Sequence, residues 1–342
     1  MKCRNILLLI ACLCFGCLLR TGQAKLATTA PLKFNQDGTF KIVQFTDMHW
    51  NKGEPKDLKT RQLMSDILDA EKPDLVILTG DNIGGKEVKD SAQAMRDVVK
   101  PMIERKIYWA AVLGNHDAEG TLSRTELVKL QMSMPYCLSE LGPENISGAG
   151  NYILRIKSAA GDETKAVLYC IDTKANTDPN IIDGYDWISH DQIQWYLDTA
   201  EVLRKDNNGK PLPALAFFHI PLPEYNDVWN TNTCIGSKQE VVCCPKINSG
   251  FFSAMLQAGD VMATFCGHDH VNDYEGQFCG IWLCYGRASG FAPYGREGFP
   301  RGSRIIQLKE GVRDFETWLC VEDNKLIHRR KLCNLEQNEG KK

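Results

Sequence analysis

Ile42-Val43-Gln44-Phe45-Thr46-Asp47-Met48-His49 is an apolar run that passes through one small polar residue and ends in residues of metal-ligating type. The layout returns in Leu75-Val76-Ile77-Leu78-Thr79-Gly80-Asp81-Asn82 and in Ala111-Val112-Leu113-Gly114-Asn115-His116-Asp117. It returns again in Ala214-Leu215-Ala216-Phe217-Phe218-His219 and in Met262-Ala263-Thr264-Phe265-Cys266-Gly267-His268-Asp269-His270. Five of the chain's seven histidines fall in these segments. A strand that ends in Asp, Asn or His delivers that side chain at the carboxyl edge of a sheet, where ligands bind in α/β folds. Five such ends predict one crowded polar site.

Between the strand-like runs of the first half lie segments of helical period. Asp57 is expected to cap a helix carrying Leu58, Leu63, Ile67 and Leu68. Asp90 or Ser91 starts a second, with Met95, Val98, Val99 and Met102 on one face, and Ser189 a third, with Ile193, Tyr196, Leu197 and Ala200. Strand–helix–strand repetition implies crossover connections and mostly parallel pairing. The second half offers strands with few long helices between them: residues 166–171, 214–218, 261–265, 281–284, 304–308 and 314–320. A second sheet packed on the first is expected.

The chain has 342 residues, 43% of them hydrophobic, and a formal net charge of −3. That charge, without a basic run, gives no nucleic-acid-binding patch. Met1-Lys2-Cys3-Arg4-Asn5 followed by an apolar stretch from Ile6 to Leu19 and by Gly22-Gln23-Ala24 reads as a secretory signal peptide over 1–24, too short for a stable span. The alternative is a lipoprotein signal at Leu9-Ile10-Ala11-Cys12. The mature chain, 25–342, is expected to be a single catalytic domain with a strand-rich C-terminal tail, to work outside the cytosol as a secreted or periplasmic protein, and to lack a transmembrane span. Of fourteen cysteines, four lie in the signal segment and ten beyond it. Cys170, Cys266 and Cys284 sit in apolar runs as buried thiols. Cys234, Cys243 and Cys244 lie in a polar loop that a local disulfide can close. Asn145-Ile146-Ser147 has the form of a glycosylation acceptor.

Two-metal hydrolysis needs two divalent ions roughly 3.5–4 Å apart, clamping the attacking and leaving oxygens of a phosphoryl group. Holding them requires a bridging carboxylate, with neutral imidazoles and amides to keep the site positive for an anionic substrate. Asp47, His49, Asp81, Asn115, His219, His268 and His270 supply that mixture, and Asp81 at a strand end suits the bridge.

Taken in order, Asp47-x-His49, Gly80-Asp81, Gly114-Asn115-His116-Asp117, His219 and Gly267-His268-x-His270 resemble the five blocks of the calcineurin-like metallophosphoesterases. The wording around them, from about Leu32 to Leu308, is similar to a secreted subgroup of bacteria, plants and fungi whose plant members are named purple-acid-phosphatase-like. The resemblance implies an α/β fold, a four-layer α-β-β-α sandwich of two mixed sheets flanked by helices. It implies one metal held by Asp47, His49, Asp81 and His270 and another by Asp81, Asn115, His219 and His268. The two divalent ions would be Mn, Fe, Zn or Co. A hydroxide bridging them would attack a small phosphorylated substrate directly, His116 would protonate the leaving alkoxide, and Asp117 would hold the imidazole. Purple acid phosphatases proper carry a tyrosine three residues after the bridging aspartate and a glycine where this chain has His49. Here Gly84 stands at the tyrosine position, so the expected enzyme is colourless. A phosphomonoesterase is the leading expectation. The alternatives are a phosphodiesterase or nucleotidase with the same metal site, and a silent relative that binds a phosphorylated or sugar ligand.

Outside the blocks, His190 and His328 read as surface residues. Asp269 and Asp273 are either partners of the ligands or solvated. Arg287 is either a loop arginine or a contact for substrate phosphate, and Trp187, Trp195 and Trp229 either pack the core or floor a cleft.

Overall fold

The computed structural model describes residues 32–332, so the signal-peptide reading of 1–24 lies outside the described residues. The first half runs Thr39–Phe45 (β1), Pro55–Glu71 (α1), Leu75–Thr79 (β2), Ser91–Glu104 (α2), Tyr108–Val112 (β3), Arg124–Met132 (α3), Tyr152–Lys157 (β4) and Thr164–Cys170 (β5). Then come His190–Asp206 (α4), Ala214–Phe217 (β6), Glu224–Thr231 (α5), Cys234–Ile235 (β7), Phe251–Ala258 (α6) and Val261–Cys266 (β8). The chain closes with Glu275–Phe278 (β9), Ile281–Tyr285 (β10), Gly302–Lys309 (β11), Phe315–Val321 (β12) and Lys325–Arg330 (β13).

The strands form two mixed sheets, ordered β13-β12-β11-β1-β2-β3 and β4-β5-β6-β8-β10-β9-β7. β1, β2 and β3 run parallel, as do β5, β6, β8 and β10, so their carboxyl ends gather at one edge of each sheet. Alternate residues of β1 point to opposite faces. Phe40 and Ile42 enter a core shared with Leu215, Phe217 and Phe265 of the second sheet, whereas Val43 and Phe45 pack with Ile67, Val98 and Met102 of α1 and α2. On the far side, Tyr169 and Ala216 pack with Tyr196 of α4 and Met255 of α6. The result is the expected α-β-β-α sandwich. No helix among the described residues is long and apolar enough to cross a membrane.

Local chemistry sets the helix starts. Asp90 caps α2 by accepting from the Gln93 N–H at 2.9 Å, and Ser189 opens α4 with a capping box to Gln192. Asp57 is not the cap of α1. Glu54 is, and Asp57 sits one turn in, where its carboxylate accepts the N–H groups of Asn51, Lys52, Gly53 and Glu54 at 2.9–3.2 Å. Leu58, expected on the buried face, is 45% exposed; Thr60 and Met64 are buried instead. Cys170, Cys266 and Cys284 are buried thiols. The local disulfide is not formed: Cys234, Cys243 and Cys244 are free, their sulfurs set against the Val228 carbonyl, the Val241 carbonyl and the Asn226 amide.

Candidate metal centre

The carboxyl ends of β1, β2 and β3 meet those of β6 and β8 where the two sheets abut. Gln44 ties the sheets together beneath this point, its amide donating to the Thr79 hydroxyl at 2.8 Å and to the Cys266 carbonyl at 2.9 Å. Arg124, in the first turn of α3, binds the Gly114 and Leu113 carbonyls at 2.7 and 3.1 Å and pairs with buried Asp172 beyond β5. It thereby fixes the strand end that presents Asn115. Glycines make the close approaches possible. A Cβ on Gly114 would collide with the Asp81 carboxylate, and one on Gly267 with the Thr46 hydroxyl. We expect Gly114→Ala to lower stability by roughly 1–3 kcal/mol in urea unfolding, the scale of inserting one methyl into a filled core. An unchanged midpoint would show that the Asp81 loop yields freely.

The expected residues gather into two groups that share one member. Asp47, His49, Asp81 and His270 have donor atoms within 4.8 Å of one another, and so do Asp81, His219 and His268. One oxygen does the sharing: Asp81 Oδ2 lies 3.4 Å from His49 Nε2 and 3.2 Å from His219 Nε2. Its other oxygen accepts the His116 N–H at 2.9 Å. In the first group His270 Nε2 stands 3.3 Å from His49 Nε2 and 3.5 Å from Asp47 Oδ1. In the second, His219 Nε2 stands 3.1 Å from Asn115 Oδ1 and 3.2 Å from His268 Nδ1. Asp47, Asp81, His219, His268 and His270 are buried. Asp47, His49, Asp81 and His268 have positive φ, between 45° and 78°, a strained conformation for residues with a Cβ that clusters at functional sites.

The donor set fits divalent metal. A carbonyl can only accept, so His219 carries its proton on Nδ1, 2.8 Å from the Thr79 carbonyl, and turns the Nε2 lone pair inward. His270 does the same through Nδ1 and the Tyr294 carbonyl at 3.2 Å. Lone pairs of imidazole, amide and carboxylate then face one another, an arrangement that repels unless positive charge lies among them. Ligand atoms about 2.0–2.2 Å from one shared ion would stand at such spacings. The imidazoles respond accordingly. Burial opposes charge on His219, but Asp81 and Asp47 outweigh it and raise the ring to about 9. Burial lowers His49 to about 4 and His268 to about 3, keeping both neutral as ligands require. Asp81 stays well below the usual carboxylate range, since His219 and His49 outweigh its burial.

His116 is not in either group. Its imidazole is 42% exposed, centred 5.4 Å from the His49 ring, and its Nδ1 lies 2.9 Å from Glu119 Oε2. Asp117 does not hold that imidazole. Its buried carboxylate accepts the Gly114 and Ile83 N–H groups at 2.7 and 3.0 Å and the Asn82 amide at 3.0 Å, and burial beside Asp81 raises it to about 6. Asp117 shapes the loop; Glu119 is the partner that sequence reading missed, although its place three residues after His116 was a usable signal. Arg287 is buried. It binds Asp273 and the Pro300 carbonyl and lies over Phe299. Asp273 is thereby a structural partner, while Asp269 accepts from the Tyr285 hydroxyl and the Cys243 N–H. Trp195 and Trp229 pack against the core of the second sheet, whereas Trp187 lies beneath Lys174 and lines a small cavity with Ile220 and Leu222.

The model of the family described as calcineurin-like phosphoesterase matches residues 40–272. The chain belongs to the calcineurin-like phosphoesterases. It is similar to an Arabidopsis thaliana protein named "Probable inactive purple acid phosphatase 29", at 36% identity over 94% of this chain and 91% of the relative. It is also similar to a Saccharomyces cerevisiae protein named "Phosphatase DCR2", at 38% identity over 84% of this chain and 54% of the yeast protein. Among solved structures, a dimetal phosphatase from Danio rerio shares the fold at 13% identity and a TM-score of 0.52, covering 81% of this chain and 98% of that one. Within this family fold, a side chain at Gly84, where the purple enzymes carry their tyrosine, would require the Asn51 side chain to move. A Cβ there would collide with the Asn51 side chain.

Proposed function

We propose that this calcineurin-like phosphoesterase hydrolyses phosphate monoesters at a centre of two divalent metals, chosen from Mn, Fe, Zn and Co, and that it does so outside the cytosol without a purple iron–tyrosinate. One observation carries the binuclear part of the reading: a single carboxylate oxygen, Asp81 Oδ2, lies between two sets of donors, each with the members expected of it. Asp47, His49, Asp81 and His270 would hold one ion, and Asp81, Asn115, His219 and His268 the other. When bound, two such ions neutralise phosphoryl charge and acidify the attacking water.

The chain's own residues do the rest. His219 and His270 are oriented by main-chain carbonyls through Nδ1, so each Nε2 is aimed at the centre before any ligand arrives, and at His219 an ion would displace the proton held there. His116 stands beside His49 with its imidazole part exposed, placed to protonate a leaving alkoxide. Burial opposes its proton, but Asp81 and the hydrogen-bonded Glu119 outweigh this and raise its pKa. The complete donor set favours catalysis over silent ligand binding.

The test is a panel of aryl phosphate monoesters and diesters, presented to metal-stripped protein reconstituted with each ion in turn. Monoester turnover with at least one ion supports the proposal; turnover of the diesters alone, or of nothing, overturns it. In the active form, His116→Ala is expected to lower kcat roughly 10²–10⁴-fold while metal content stays at the wild-type value. Glu119→Gln should move kcat in the same direction by less. Loss of the metals from His116→Ala would refute its role as the acid.

A further inference from the structure

The two histidines of the Gly267-His268-Asp269-His270 loop are oriented by different means, and neither means was visible as a motif. Metal-binding imidazoles ordinarily donate their second N–H to a carboxylate, a carbonyl or water. His268 does not. Its Nδ1 faces the centre, 3.2 Å from His219 Nε2, and its Nε2 is buried without a hydrogen-bond partner among the described residues. What lies against this ring is Tyr185, with centroids 4.5 Å apart and planes at 89°. A perpendicular pair is the arrangement that ring quadrupoles favour, and an aromatic face can accept a weak N–H contact. Tyr185 is presented by the loop between β5 and α4. That loop is fastened by Lys174, which reaches Asp186 and the Ser189 hydroxyl, each at 2.8 Å.

His270 is gripped by a second tyrosine in three ways. The Tyr294 carbonyl faces His270 Nδ1 at 3.2 Å, and the Tyr294 ring stacks on the imidazole with centroids 4.1 Å apart and planes at 22°. Its hydroxyl donates to Glu240 Oε2 at 2.8 Å, and the other Glu240 oxygen accepts the N–H of Val271, next in chain to His270. Buried Arg301 holds the segment from beneath, donating to the Tyr294 carbonyl at 2.6 Å and the Pro293 carbonyl at 3.2 Å. Tyr294 itself is 53% exposed, more than core packing alone would leave it.

We propose that Tyr185 and Tyr294 are positioning residues, each holding one histidine of this loop for one of the two metals. Tyr185 serves His268 and the ion shared with His219; Tyr294 serves His270 and the ion shared with His49. The inference rests on the binuclear reading above. Each ring restricts a lone pair that must meet its ion along one direction, the service that hydrogen-bonded outer partners give elsewhere at about 10–100-fold in metal affinity.

Calorimetric titration of the metal-stripped full chain with Co²⁺ alone tests it. Wild type is expected to bind two ions. Tyr185→Ala should weaken one ion about 10–100-fold and Tyr294→Ala the other, while Tyr185→Phe, which keeps the ring, binds both as wild type does. In a His49→Ala background, where the first ion is already lost, Tyr294→Ala should change nothing further and Tyr185→Ala should still weaken what remains. The inference is overturned if either alanine variant binds both ions with wild-type affinity, if each weakens both ions equally, or if Tyr185→Phe behaves as Tyr185→Ala. Fewer than two ions on wild type would instead overturn the binuclear reading itself. Unfolding of the metal-free variants at the wild-type midpoint excludes general loosening.

Discussion

Asp81→Ala is expected to reduce hydrolysis of an aryl phosphate by roughly three orders of magnitude or more, the upper scale for removing one group that serves the transition state directly. The reason is geometric. Oδ2 is common to both donor groups, 3.4 Å from His49 Nε2 and 3.2 Å from His219 Nε2, so its loss removes one ligand from each ion at once. Oδ1 accepts the His116 N–H, so the same change releases the loop that carries the proposed acid. Among the described residues, no other carboxylate belongs to both groups. The variant should therefore lose metal as well as rate, which distinguishes it from His116→Ala. His268→Ala should lose turnover for a narrower reason, because it strips the second group alone. Asp81→Asn keeps the shape and removes the charge, and is expected to fall between the alanine variant and wild type. Steady-state rates with metal content on the same preparations decide it; full residual activity in Asp81→Ala would sink the site assignment.

The ligand residues were legible because each terminates an apolar run, and an apolar run ending in a polar residue marks a strand end in any fold of this kind. Two-layer burial also wrote itself into β1, where residues for both faces are apolar. The partners of those ligands were not legible. Asp117 follows His116 in the chain, yet its carboxylate turns back to the Gly114 and Ile83 N–H groups while the imidazole turns to Glu119. Which of two adjacent side chains turns which way depends on the loop, and the loop depends on contacts 35 residues distant, such as His116 N–H to Asp81. Tyr185 and Tyr294 are harder still, since they come from loops far from the blocks in sequence and meet them only in space. Strands with little apolar pattern were likewise missed: β13 reads Lys325-Leu326-Ile327-His328-Arg329-Arg330 and is held at a sheet edge by pairing with β12. Asp57 shows the same limit at smaller scale, because an aspartate near a helix start can cap the helix or, one turn in, accept the N–H groups of the residues that precede it, as it does here.

Arg304→Met is expected to destabilise the fold by roughly 3–5 kcal/mol, the cost of stripping one partner from a buried ion pair. Arg304 belongs to β11 of the first sheet, is fully buried, and sends its guanidinium into the second sheet. There it donates to Glu275 Oε2 of β9 at 2.6 Å, to the Tyr285 carbonyl of β10 at 2.6 Å and to the Asp273 carbonyl at 2.8 Å. Within its own sheet it also reaches the Thr317 hydroxyl at 3.1 Å. Methionine fills much of the volume but satisfies none of these acceptors, and it strips the buried Glu275 carboxylate of its hydrogen-bonded counter-charge, leaving only the weaker pull of Arg330 and His328. Burial already raises the Glu275 pKa even with Arg304 opposing it, so without Arg304 the raise must grow. The sign of the pH dependence follows. A carboxyl with a raised folded pKa binds its proton more tightly in the folded state, so its penalty is absent at low pH and appears as pH climbs past the unfolded value. The stability gap between wild type and Arg304→Met should thus be widest near neutrality and narrow as the pH is lowered through the acid range. Adding Glu275→Leu removes the stranded charge and should restore a large part of the loss, since an apolar pair can replace a buried ionic one at little net cost. Urea unfolding of the four chains of this cycle measures each quantity. A single variant within about 1 kcal/mol of wild type, or a double variant less stable than either single one, would show that the two sheets are not joined through this pair.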